Sequence, residues 1–187
     1  RDMEIRLSTL KGGTARNAIP RDAEAVLTCA KENATLCKEK FSAIQASVQS
    51  ELAKAETGLV LTLNEISGEP VHAISAAETQ AAIRLLMALP HGVTSMFADM
   101  PAFVETSNNI GVMELKEDGL SVVSTNRSAV FSGLEEITRR VETVAWLAGA
   151  KTERTKMFPP WQPNMESPLL KQCVDTYRGI VEEDPKI

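Results

Sequence analysis

Two glycines, Gly12 and Gly13, end one alternating run, and Ile19-Pro20-Arg21 leads into a second. In the first run Met3, Ile5 and Leu7 alternate with Glu4 and Arg6, the period of a strand with one face buried. In the second, Ala23, Ala25, Leu27 and Cys29 share one parity, with β-branched Val26 and Thr28 between them. Strand-period runs divided by Gly-Gly and Pro predict a hairpin, residues 3–10 against 22–30. Within the connection, the glycines permit a backbone path closed to other residues. Pro20 fixes its own φ and pushes Ile19 towards extended backbone. Asn17 carries an amide that both donates and accepts, with Arg16 and Arg21 near it as fixed cations. On these residues alone the stretch is a hairpin loop with surface charge.

The rest of the chain alternates helix and strand signals. Leu36, Phe41, Ile44, Val48 and Leu52 trace a helical stripe through residues 33–54, with Thr57-Gly58 as its stop. Leu59, Leu61 and Leu63 alternate with Val60, Thr62 and Asn64, which predicts a strand over 59–66 broken by Gly68-Glu69-Pro70. Ser75 and Glu78 form a capping box for a helix running to Leu89, with Ile83, Leu86 and Met87 on its apolar side. Pro90-His91-Gly92 ends that helix, and residues 93–101 read as an irregular loop. Glu117-Asp118-Gly119 joins strands over 103–116 and 120–126. A second capping box, Ser132 with Glu135, opens a helix whose face carries Leu134, Ile137, Val141, Val144 and Ala148 and which Gly149 closes. Residues 151–156 read as a last strand. The prolines at 159, 160 and 163 make 158–163 an extended connector. Ser167 and Pro168, as N-cap and first helical residue, start a helix to about residue 180. Its Leu169, Leu170, Cys173, Val174 and Tyr177 form an apolar face. Hairpins interrupted by helices predict an α+β two-layer sandwich, an antiparallel sheet with helices on one face.

Composition narrows the function classes. A chain of 187 residues can bury a real core, and the net charge of −5 argues against a nucleic-acid backbone as partner. No apolar run is long enough to span a bilayer, so no membrane role is expected. Three cysteines, Cys29, Cys37 and Cys173, without a Cys-x-x-Cys pair read as reduced thiols of a cytoplasmic protein. The two histidines, His72 and His91, stand in no metal-ligand pattern, so no metal site is expected within the chain. Gly-x-Ser-x-Gly is missing, and no Gly-Lys-Ser/Thr follows Gly12-Gly13, so neither a serine nucleophile nor a phosphate loop is expected.

The opening stretch, Gly12-Gly13-Thr14-Ala15-Arg16-Asn17-Ala18-Ile19-Pro20-Arg21, resembles the lid-domain signature of bacterial aminoacyl-histidine dipeptidases. That family belongs to the zinc peptidase superfamily of carnosinases and aminoacylases. Glu105-Thr106-Ser107-Asn108-Asn109-Ile110-Gly111 follows in matching order, then Arg127-Ser128, Leu147 to Glu153, and Trp161-Gln162-Pro163 with Ser167-Pro168. The resemblance implies the lid and dimerisation part of a cytoplasmic dipeptidase that forms homodimers and cuts Xaa-His or broader dipeptides. It implies a domain over 1–157, then a connector and helix over 158–187 that return to a catalytic domain. Two zinc ions would be held by that other domain. In the family an additional strand and helix, and a His in a Gly-His-Ser-Gly-Gly stretch, precede the region matching Arg1. This chain by itself is therefore expected to be inactive, with no catalytic residue of its own. Carried over by position, Asn17 would hold the peptide substrate and Arg127 its terminal carboxylate; Thr106, Ser107 and Asn109 take no assigned role. The alternative is a non-catalytic α+β binding or oligomerisation module.

Overall fold

The computed structural model describes residues 3–66, 72–155, 157–181 and 183–185. Its order is β1 (Ile5–Gly12), β2 (Ala23–Cys29), a 3-10 turn (Lys31–Asn33), α1 (Ala34–Leu52), α2 (Ala76–Ala88), β3 (Gly92–Met96), β4 (Val104–Lys116), β5 (Gly119–Ser128), α3 (Phe131–Leu147) and α4 (Pro168–Val181). The five strands form one antiparallel sheet, as the α+β reading requires. The predicted hairpins, the first capping box and the helix start at Pro168 are all present.

Strand β4 is the spine. β5 runs along one edge from Lys116↔Gly119 to Thr106↔Ser128, across the two-residue turn Glu117-Asp118. The other edge is shared end to end: β3 pairs with its first half, and β1 joins only at Lys11↔Glu114 and Gly12↔Met113. Between those two neighbours the backbone N–H of Ile110 donates to His91 Nδ1 at 3.1 Å, so a side chain satisfies a donor that no strand reaches.

The core gathers around this spine. Leu7, Ala82, Leu89, Ile110, Ile137 and Ala145 are buried, with Thr79, Thr106 and Asn108 as the buried polar residues. Helix α2 is stitched to β1 because Thr79 Oγ1 accepts from the Leu7 N–H at 2.9 Å, while Leu7 O accepts from Ile74 at 2.9 Å. Helix α3 lies on β4 and β5 and ends in a paired cap. Ala150 N–H donates to Ala145 O and Gly149 N–H to Trp146 O, both at 2.9 Å, with Gly149 at φ +73°.

Four expectations are corrected. Residues 59–66 are not a strand; they run along α1, where Gln45 Nε2 donates to Leu61 O at 2.7 Å and Lys38 Nζ pairs with Glu65 at 2.8 Å. Alternation assigns faces, but a strand also needs a neighbouring backbone to bond. The Gly68-Glu69-Pro70 break lies outside the described residues. Residues 151–155 are likewise no strand: Arg154 forks onto Glu142 of α3 at 2.6 and 2.8 Å and reaches Glu135 at 3.2 Å. Residue 156 lies outside the described set. Part of the expected loop 93–101 is strand β3, hidden from periodicity by register shifts at Val93/Ser95 and Ser95/Met96. Finally, the second capping box does not form. Val130 is the N-cap of α3, and Ser128 Oγ accepts from its N–H at 3.1 Å, so the strand-to-helix corner is held from β5. Smaller departures follow: α1 stops at Leu52, before Gly58, and Ala145 takes the buried place expected of Ala148, which is exposed.

Candidate functional site

Alternation along β4 and β5 divides their side chains between two faces. Thr106, Asn108, Asn126 and Ser128 point towards α3. Thr106 Oγ1 and Ser128 Oγ lie 2.9 Å apart, and Asn126 Nδ2 donates to Thr138 Oγ1 of α3 at 3.0 Å. Asn108, only 3% exposed, donates from Nδ2 to Ser124 Oγ at 2.7 Å and to Asn126 Oδ1. Gly133 of α3 fits over this polar row because a Cβ there would come within 2.8 Å of Ser128 Oγ and 2.9 Å of Thr106 Oγ1. This is a polar seam that docks a helix, and its network fixes register.

The opposite face carries Ser107, Asn109, Thr125 and Arg127. Ser107 pairs with Arg127, and Asn109 with Thr125; the two rungs follow one another on this face, with Asn108↔Asn126, whose side chains point the other way, between them. The loop 13–22 folds over this face. Thr125 Oγ1 donates to Arg16 O at 2.7 Å, and Asn109 Nδ2 donates to Ala18 O at 2.8 Å. Gly13 N–H closes the base of the loop on Asp22 O at 3.1 Å.

Two glycines permit this approach. Gly13 sits at φ +67°, and a Cβ there would lie 2.0 Å from Gly111 O. Gly111 is the extra residue of a bulge between Ile110 and Val112, and its own Cβ would lie 2.7 Å from both Arg16 Cα and Arg16 O. The matching stretches around Asn17 and around Thr106-Ser107-Asn108-Asn109-Ile110-Gly111 therefore touch, although they lie far apart in the chain.

Asn17 stands exposed between the two gripped carbonyls, and Arg127 stands exposed on the neighbouring rung of the same face. An exposed amide on the loop and an exposed guanidinium on the sheet face that the loop sits on can bind a peptide group and a carboxylate. Thr125 escapes sequence reasoning for a definite reason. Counting back from the Glu117-Asp118 turn pairs Asn109 with Asn126, whereas the bulge at Gly111 shifts the partner to Thr125. Only the glycine itself hints at the bulge.

The two histidines are apart from this face. His91 is engaged by Ile110, and His72 offers its backbone O to Ser8 Oγ. Among the described residues no three of His, Cys, Asp and Glu come together to hold a metal ion. Among the same residues no helix is long and apolar enough to cross a membrane. Cys29 and Cys37 are neighbours, and slight burial together with Cys37 pushes the Cys29 thiol up.

Residues 2–58, which span β1, the loop, β2 and α1, match the peptidase dimerisation domain. The chain is 33% identical over 186 residues to the cytosol non-specific dipeptidase of Escherichia coli (strain K12), across 100% of this chain and 38% of that protein. Its fold superposes on the crystal structure of aminoacylhistidine dipeptidase from Vibrio alginolyticus with a TM-score of 0.88 at 33% identity. That likeness covers 97% of this chain and 37% of that one, so the chain spans less than two fifths of either relative. The likeness in sequence and in fold takes in the residues that bring the loop onto the sheet, and over its length the chain is similar to the segment of these dipeptidases that carries a peptidase dimerisation domain.

Proposed function

We propose that this chain is the lid and dimerisation segment of a cytoplasmic, metal-dependent dipeptidase, and that it contributes Asn17 and Arg127 to the substrate site. The observation that carries the reading is the shared face: the loop bearing Asn17 is bonded to Asn109 and Thr125, two residues along the strands from the Ser107↔Arg127 pair on that face. The guanidinium pairs with the terminal carboxylate of a dipeptide, for which its planar fork is matched. The Asn17 amide donates to or accepts from the peptide group, so the two contacts orient the substrate from one side. A dipeptide offers both groups a few ångströms apart, which suits short substrates of the Xaa-His or broader kind.

The described residues do not make a metal site, and no step at a metal is assigned to them. Zinc, two ions in the family pattern, would be held by another part of the longer protein. The chain over 1–157 acts as lid, and 158–187 as connector and helix towards that part. Homodimerisation follows from the dimerisation domain matched by residues 2–58. On this reading the 187-residue chain alone hydrolyses no dipeptide, with or without added zinc.

Steady-state kinetics of the full-length protein test the reading. Arg127→Ala should cost about 2–5 kcal/mol in kcat/KM, the range for unpairing a desolvated carboxylate. Arg127→Lys should recover part of it, since the fork is lost but the charge stays. Asn17→Ala should lower kcat/KM with the fold intact. Unchanged kcat/KM in all three variants overturns the assignment.

A further inference from the structure

The loop that carries Asn17 is held in an unusual way. Its backbone carbonyls at Arg16 and Ala18 both turn down onto the sheet, and each is taken by one member of a single cross-strand pair. Thr125 Oγ1 takes Arg16 O at 2.7 Å; Asn109 Nδ2 takes Ala18 O at 2.8 Å and also lies 3.4 Å from Arg16 O. The residue between those carbonyls is Asn17. We propose that Asn109 and Thr125 are positioning residues whose grip on the two flanking carbonyls sets the Asn17 amide at a fixed distance from Arg127. The inference rests on the reading of Asn17 and Arg127 as substrate contacts.

Three features separate this grip from ordinary loop packing. It is aimed at the carbonyls on either side of one exposed polar residue and not at the loop in general. It comes from the pair two residues along from Ser107↔Arg127, the next one on the same face, so the loop is referenced to the strand that carries the guanidinium. And the bare bulge at Gly111 lets the backbone of Ala15 and Arg16 descend to within reach, since any side chain there would strike it. Two-point capture of a small substrate depends on the spacing of the two contacts, and a shift on the order of 1 Å costs heavily. Asn109 and Thr125 touch no substrate in this scheme; they act through Asn17.

The test uses the full-length protein and two readouts. Thr125→Val keeps the shape and removes the donor; Thr125→Ser keeps the donor; Asn109→Asp keeps the shape and sets a carboxylate against the carbonyls. Amide exchange over residues 14–19 reads the grip, and kcat/KM for a dipeptide reads its consequence. Thr125→Val and Asn109→Asp should each speed exchange in the loop and lower kcat/KM about tenfold, the scale of one hydrogen bond. Thr125→Ser should stay near wild type. In an Asn17→Ala background Thr125→Val should cost nothing further, because the residue it positions is gone. Unchanged loop exchange in both variants overturns the grip. Faster exchange with unchanged kcat/KM, while Asn17→Ala itself is impaired, overturns the positioning role. So does a full additional loss in the Asn17→Ala background. If Asn17→Ala is itself silent, the substrate reading falls and takes this inference with it, and the exchange data then report a loop anchor alone.

Discussion

Helices α1 and α3 have similar lengths, 19 and 17 residues, and opposite fates. α3 buries Ile137 to 1% exposure and Ala145 nearly as far, whereas α1 buries nothing and leaves Ile44 57% exposed. α3 lies on the β4–β5 pair, and its Gly133 admits the sheet's polar row to close contact. α1 has for company the turn before it and the extended residues 59–66, where Val60 is 77% exposed. An apolar stripe thus makes a core only where a second layer meets it. The site belongs to the well-packed half, since the rungs that hold the loop are β4 and β5 themselves.

The largest expected effect in this contrast is Ile137→Ala, at about 2–5 kcal/mol of stability, from lost transfer energy plus the cavity left behind. Ile44→Ala should stay within about 0.5 kcal/mol. Urea denaturation of both variants checks the pair, and similar losses would erase the distinction between the helices. Next is Gly111→Ala, whose Cβ would meet Arg16 and Ala15 backbone with little room to move. About 1–3 kcal/mol is expected, together with faster amide exchange in the loop.

Sequence already separates much of this. The two hairpins, the Ser75 cap, the Gly149 stop and the Pro168 start are local devices, each set by residues within a few positions, and each is found in place. Residues 59–66 alternate as well as any strand, but what decides them, and 151–155 with them, is a neighbour: the first stretch lies on α1, the second is pulled onto α3 by Arg154. Strand β3 was masked by its own register shifts. At the site, the resemblance points to Asn17 and Arg127, and the Asp-Gly turn brings Arg127 roughly opposite Ser107. The bulge at Gly111 then moves Asn109 onto Thr125, a one-residue shift that no pattern of side chains records.

The two capping boxes sharpen the comparison at smaller scale. Ser75 Oγ accepts from the Glu78 N–H, and Glu78 accepts from the Ser75 N–H, while Ser132 caps nothing. Ser75→Ala should cost about 1 kcal/mol and Ser132→Ala little, measured by thermal unfolding. The smallest effect is electrostatic. The Arg154 guanidinium holds the Glu142 carboxyl below its ordinary range. A lowered folded-state value means that this contribution is complete above the ordinary carboxylate range and is lost as pH falls through the lowered one. Stability should therefore decline below about pH 4, and Arg154→Gln should flatten that decline slightly, as suits a surface pair. An unchanged acid limb in the variant would remove Arg154 as the strap between 151–155 and α3.

The account's central claim is that the face of β4 and β5 under the loop presents the exposed Arg127 to the carboxylate of a short peptide. Its most direct test compares kcat/KM for a dipeptide and for the same dipeptide amidated at its C-terminus, in the full-length protein and its Arg127→Ala variant. The account predicts that the wild type favours the free acid by about thirtyfold or more, the equivalent of about 2 kcal/mol, and that the variant loses most of this preference. A preference for the free acid that survives intact in Arg127→Ala would contradict it.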